Sequence, residues 1–217
     1  MTNSPQALRI DIVSDVVCPW CIIGYRQLAK ALEATGTAHE IHWQPFELNA
    51  DMPPEGQNLR EHLVEKYGIT PAQSDANRAM ITATGAELGF DIRFGDDMRM
   101  HNTFKVHQLL HWADQQGRKH ELKQAFFAAH FTDGKNLSDD GVLADVAAGI
   151  GLDRSEALAV LADQRFAAAV REAESFWAQQ GIRGVPAMVF NRRQLVTGAQ
   201  RVENYIRILE QLAAMPD

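Results

Sequence analysis

Cysteine is almost absent: Cys18 and Cys21 are the only two in 217 residues. Without a second pair, a zinc site would have to recruit histidines from elsewhere in the chain to reach four ligands. A structural bridge between Cys18 and Cys21 would close too short a loop to add much stability. Runs of lysine and arginine are missing too; the net charge is −7 and the pI about 5.6, which argues against nucleic-acid binding. No stretch approaches about 18 uninterrupted apolar residues, so no membrane span is expected. Met1 to Arg9 has no apolar signal core. With 46% hydrophobic and 23% charged residues the chain can bury an ordinary core, and a globular cytoplasmic protein is the expectation.

What thiol there is stands in one place, in Val16-Val17-Cys18-Pro19-Trp20-Cys21. Leu8, Ile10, Ile12 and Val13 form a β-rich run. Ile22, Tyr25, Leu28, Ala29 and Leu32 then repeat at three and four, so a strand hands over to a helix near Asp15 to Cys18. Cys18 falls at the N-cap or first position, and Pro19 suits the first turn because its missing N–H is not needed there. An N-cap side chain accepts from the second or third amide, so the Cys18 sulfur is expected to face the amides of Trp20 and Cys21. Those amides and the helix dipole favour thiolate, which makes Cys18 the nucleophile. Cys21, one turn further in, is placed to resolve a mixed disulfide. Cytosolic thiol buffers hold most cysteines reduced, so reduction, isomerisation or shuffling is expected rather than bulk oxidation.

Thr37 to Leu48 reads as a second strand, with Pro45 marking an edge or an end, and Asn49 to Gln57 as a loop. From Asn58 to about Gly181 the pattern is helical, in six expected segments. Thr70-Pro71 opens one that stops near Gly89, and Asn102 opens another ending near Gly117. Asp153 with Glu156 makes a capping pattern, and a long helix is expected from Asp163 to Gln180. Ala187 to Asn191 and Gln194 to Thr197 read as a hairpin, followed by an amphipathic helix carrying Val202, Tyr205, Ile206, Leu209, Leu212 and Ala213. The order fits an α/β fold: a thioredoxin-like βαβ…ββα core with a large all-helical insertion. Residues 1–57 and 165–217 are expected to form the thioredoxin-like domain and 58–164 the inserted helical domain.

Asp15-Val-Val-Cys18-Pro-Trp-Cys21, Gly181-Ile-Arg-Gly184-Val185-Pro186-Ala187 and Thr197-Gly198-Ala199-Gln200 resemble the FrnE-type branch of the DsbA-like thioredoxin-fold oxidoreductases. Asn102-Thr-Phe-Lys-Val-His107 resembles a stretch of that branch's helical domain. The resemblance implies that Pro186 is a cis-proline beside the cysteines, with the Val185 backbone free to pair with an extended substrate. It also implies a cleft position for Asn102, which on local grounds is an N-cap. Pro19 and Trp20 are the further candidate substrate contacts. Many DsbA-like oxidants resemble one another in having histidine where this chain has Trp20, so a less oxidising disulfide is expected here. Trp20 reads equally as a surface contact or a packed aromatic. Asp15, His42 and Glu47 are candidates to deprotonate Cys21.

No tightly bound cofactor is expected; glutathione enters as a candidate reductant or co-substrate, and the partners are thiol or disulfide substrates. Two alternatives stand. One is a glutathione-dependent transferase or isomerase resembling the kappa-class glutathione transferases and 2-hydroxychromene-2-carboxylate isomerases, which usually carry serine at the nucleophile. The other is a redox-sensing, chaperone-like binding module. His107 and His111 lie four apart on a helix, but without a nearby carboxylate pattern no metal site is expected. Phe126, Phe127, Phe131, Phe176 and Trp177 are assigned to the core. The oligomeric state is left open between monomer and homodimer.

Overall fold

Leu8–Ser14 forms strand β1 at the middle of a sheet, and its alternation feeds both faces. Ile10 and Ile12 join one apolar cluster, while Val13 joins a second with Trp177 and Val189. The computed structural model describes residues 7–215; Met1 to Gln6 of the segment read as lacking a signal core, and the last two residues of the expected C-terminal boundary, lie outside it. Helix α1, Pro19–Thr35, follows directly and buries Cys21, Ile22, Gly24, Leu28 and Leu32 at helical spacing. Gly36, left-handed at φ 61°, ends it.

Strand β2, His39–Pro45, returns parallel to β1 on the sheet edge. It is shorter at both ends than the expected Thr37 to Leu48. Pro45 ends it, and the apolar Phe46 and Leu48 beyond serve loop packing rather than pairing. Gln57–Asn58, β3, pairs with Arg99–Met100, β4, in a two-residue ribbon that the loop expectation missed because two residues carry no periodicity.

Between them lie α2, Leu59–Tyr67, and α3, Pro71–Glu87; the latter opens on the Thr70/Gln73 capping box. Next come α4, Phe104–Asp114; α5, Lys119–Phe131; α6, Asp140–Gly149; α7, Arg154–Asp163; and α8, Ala167–Gln179. The long helix expected from Asp163 to Gln180 starts later, at Ala167, because Asp163 is the last residue of α7. Gln164 adopts φ 51° and Asp163 accepts the Arg165 amide at 3.0 Å, so the break is made without glycine or proline. Seven helices therefore fill Asn58 to Gly181 among the described residues, not six.

Ala187–Phe190, β5, runs antiparallel to β1, and Gln194–Thr197, β6, pairs with β5 as the expected hairpin. Helix α9, Val202–Ala214, then packs beside α1. The sheet order is β2-β1-β5-β6. This is the expected α/β, thioredoxin-like arrangement with helices inserted into it.

Gly24 lets α1 pack close on the β5 side: a Cβ there would stand 3.2 Å from Met188 Cε and 3.3 Å from Pro186 Cγ. Gly24→Val is expected to cost about 1–3 kcal/mol by overpacking, and Gly24→Ala less, read from urea midpoints.

Candidate active site

The turn after β1 sets the first thiol. Cys18 N donates to Asp15 O at 3.3 Å and Cys21 N to Cys18 O at 3.0 Å, so Cys18 is the N-cap of α1 with extended backbone, φ −95° and ψ 111°. Its sulfur does not cap the helix as expected; no side-chain cap bond forms. The sulfur points across the fold instead, 3.8 Å from the carbonyl oxygen of Val185, a residue 167 positions away. The Val185–Pro186 peptide is cis. Val185 is half-buried, and Pro186 is buried behind it near Gly24. The structure thus brings Cys18, Cys21, Val185 and Pro186 to one place. Pro19 is half-buried, and Trp20 is 36% exposed, a surface aromatic rather than a packed one.

A family model described as a DSBA-like thioredoxin domain matches residues 9–210. The chain belongs to that family. The probable DsbA oxidoreductase SCO1869 of Streptomyces coelicolor is 35% identical, with 97% of this chain and 92% of that one covered at a TM-score of 0.91. An uncharacterised Bacillus subtilis protein, YwbO, is 24% identical over 85% of this chain and 87% of its own. The cytosolic disulfide reductase DsbM of Pseudomonas aeruginosa, solved with GSH, shares the fold at 18% identity and a TM-score of 0.64, with 95% and 100% of the two chains covered.

In this DsbA-like chain the second thiol is set apart from the first by environment. Cys21 is fully buried, and burial pushes its pKa well above the ordinary thiol range; the neighbouring Cys18 adds to the rise, while Lys123 and the Asp15 backbone amide oppose it. A reduced Cys21 is a protonated thiol at neutral pH.

Beneath the pair lies a buried carboxylate. Asp15 Oδ2 accepts from Leu48 N at 2.7 Å and from Thr103 Oγ1 at 3.1 Å, and Oδ1 lies 3.7 Å from His107 Nε2. Burial pushes the Asp15 pKa up, but His107, Leu48 and Lys123 overcome it and the net direction is down. An acid held ionised in this way is a weak base, which corrects its candidacy for deprotonating Cys21. His42 is corrected too: in register beside Trp43, which faces the α1 side, it points to the opposite face, where it meets Arg9 Nη1 at 3.3 Å. Glu47 is tied to Arg171 and Asn102; burial and Glu174 push its pKa up, and nothing connects it to Cys21.

Asn102 is spent inside the chain. Its amide nitrogen donates to Glu47 at 3.2 Å and to Ala50 O at 2.9 Å, and its oxygen accepts the Phe104 amide at 2.9 Å. Thr103 rather than Asn102 is the N-cap of α4, so the expected cap lies one residue late; Asn102 shapes the turn into the helix and tethers a loop, with no donor left for a ligand. His107 contacts Phe46 O at 2.9 Å while His111 stacks on Phe166, so the two do not converge on one point. Phe126, Phe127 and Phe131 are core, as is Trp177, but Phe176 is 51% exposed because α8 turns only one face inward.

Two residues near the thiols had no place in the sequence reading. Tyr67, exposed at the end of α2, is close enough for Cys18 to raise its pKa along with burial. Lys123 on α5 is 1% exposed. Its position on the apolar face, four before Phe127, was the available signal.

Asp15→Ala would leave the buried Lys123 without its counter-charge and the Leu48 amide and Thr103 hydroxyl without their acceptor, and is expected to cost about 3–5 kcal/mol in urea unfolding. In the unsubstituted chain the folded Asp15 pKa lies below the unfolded one. Its contribution is therefore full above the ordinary carboxylate range and fades as pH falls through the lower folded value, which unfolding curves collected across acid pH will trace.

Proposed function

We propose that the chain is a cytoplasmic thiol–disulfide oxidoreductase or isomerase working through the Cys18-Pro19-Trp20-Cys21 dithiol. The observation that carries this reading is the Cys18 sulfur set 3.8 Å from the Val185 carbonyl, with Cys21 buried one turn behind it. Cys18 as thiolate attacks one sulfur of a substrate disulfide; the substrate S–S bond breaks and the departing sulfur carries off its electron pair and gains a proton. Cys21 then loses its proton and attacks Cys18, releasing the second substrate thiol and leaving a Cys18–Cys21 disulfide. Two glutathione molecules return the pair to the dithiol and leave as glutathione disulfide. Run backwards, the same steps oxidise a dithiol.

The backbone at Val185 offers an extended substrate a strand-like partner beside the nucleophile, and the exposed Trp20 offers it an apolar contact. Two thiols within one helical turn support dithiol exchange over the transferase or isomerase chemistry of serine-bearing relatives. Trp20 adds no charge beside Cys18, which supports a pair poised for reduction or shuffling rather than strong oxidation.

Insulin reduction and the recovery of scrambled ribonuclease test the reading. The reduced protein is expected to be active in at least one, Cys18→Ser inactive, and Cys21→Ser arrested as a mixed disulfide; full activity in Cys18→Ser overturns the mechanism. Equilibration with glutathione is expected to place the potential near the cytosolic poise, about −220 to −260 mV, and well below the roughly −120 mV of a strong oxidant.

A further inference from the structure

The resolving thiol has an ionisation problem, and α5 supplies a group to answer it. Lys123 is the only buried lysine among the described residues. Its Nζ donates to Ser14 O at 3.2 Å and lies over the rings of Trp43 at 5.5 Å and Phe127 at 5.2 Å. Ser14 C=O and Asp15 N–H belong to one peptide group, and the Asp15 N–H is among the groups that pull the Cys21 pKa down against burial. In a trans peptide these two ends point in opposite directions. Lys123 and Cys21 therefore hold the same peptide from its two sides. A cation on the carbonyl polarises the group and strengthens its N–H as a donor, and donation to sulfur favours thiolate over thiol.

We propose that Lys123 is the positioning residue of the resolving step, its ammonium on the Ser14 carbonyl readying Cys21 as a thiolate through the Ser14–Asp15 peptide. The proposal rests on the dithiol reading above and adds to it the group that makes Cys21 competent. Cys21 gives its proton to water and attacks Cys18. The bond from Cys18 to the substrate sulfur breaks, and that sulfur leaves with the electron pair and takes up a proton from water. One disulfide is consumed and one formed, so no outside oxidant or reductant enters.

The groups around Lys123 suit this role. Burial lowers its pKa to about 8, against the opposing pull of Asp15, Cys21 and Cys18; Lys119 on the same helix adds to the lowering. It is charged at neutral pH and discharges above about pH 8. On the same helix His120 accepts from Trp43 Nε1 at 3.0 Å and meets the Tyr25 hydroxyl at 3.1 Å, and burial lowers its pKa, so it adds no cation at neutral pH. His107 and His111 from α4 and His42 from β2 share with Lys123 the lining of a cavity of about 420 Å³.

The aromatic disulfide dithiobis-nitrobenzoate separates the two steps, because it releases one coloured thiolate when Cys18 attacks and a second when Cys21 resolves. Lys123→Met is expected to keep the first release within twofold of the unsubstituted protein and to slow the second about tenfold or more at pH 7. That gap should narrow above about pH 8, where the native Lys123 loses its charge. Lys123→Arg, whose cation does not titrate there, is expected to keep the second release fast and to carry its rise through pH 8–10 without the native bend. A second release with native rate and pH profile in Lys123→Met overturns the proposal. If Lys123→Met gives no first release because it does not fold, a native bend in Lys123→Arg overturns it instead. Second release at native rate in Cys21→Ser would mark failure of the dithiol reading itself, a separate result.

Discussion

Val13 of β1 stands opposite Ala187 of β5, and the active site depends on that register. Val13 lies five positions before Cys18 on a strand that leads straight into the first helix. Ala187 follows Pro186, the residue after Val185. Fixing this pair places the two ends of a nearly chain-length loop within a few ångströms of each other. A slip of one residue would turn every side chain of β5 to the wrong face and carry the Val185 carbonyl away from the Cys18 sulfur. The register is held by what it buries: Ile10, Ile12, Met188 and Phe190 on one side, Val13, Ala187 and Val189 on the other.

The helical block does more than cover that sheet. It contributes Thr103 at the N-cap of α4, which donates to Asp15, His107 within α4, which helps hold Asp15 ionised inside the core, and Lys123 from α5, which lies on the Ser14 carbonyl. A carboxylate and an ammonium this deep would each be costly alone; together, with backbone donors and aromatic faces around them, they are tolerated. The turn between β1 and α1 is thereby clamped from the side away from Val185. One thiol looks out toward Val185 and the other looks back into this charged pocket, so the two sulfurs have different surroundings.

Much of this was legible in the residues. The strand-to-helix switch at Cys18 follows from the change in apolar spacing and from Pro19, and the hairpin and last helix from their own periodicities. Asp153 and Thr70 announced their caps correctly. Where the reading failed, no local signal existed: Gln164 turns left-handed with an ordinary side chain and delays the start of α8, Gln57 pairs over two residues only, and Phe176 sits one step round the helix from the buried Trp177. The expectation for the Cys18 sulfur failed for a different reason. Local rules offered it the helix amides, and the tertiary fold offered it a carbonyl from far along the chain.

The sequence by itself determined that all thiol chemistry lies in one four-residue segment at a helix start, because composition and short-range periodicity are local properties. Only the tertiary structure decided which groups surround each sulfur. Asp15, His42 and Glu47 were equal candidates as residues, and the face of a strand, the saturation of a carboxylate and the reach of a distant helix separated them. Lys123 had only its place on the apolar face of α5 to mark it, and packing is what enclosed it. Burial and partner distance are properties of the folded chain, and they set the ionisation of Cys21.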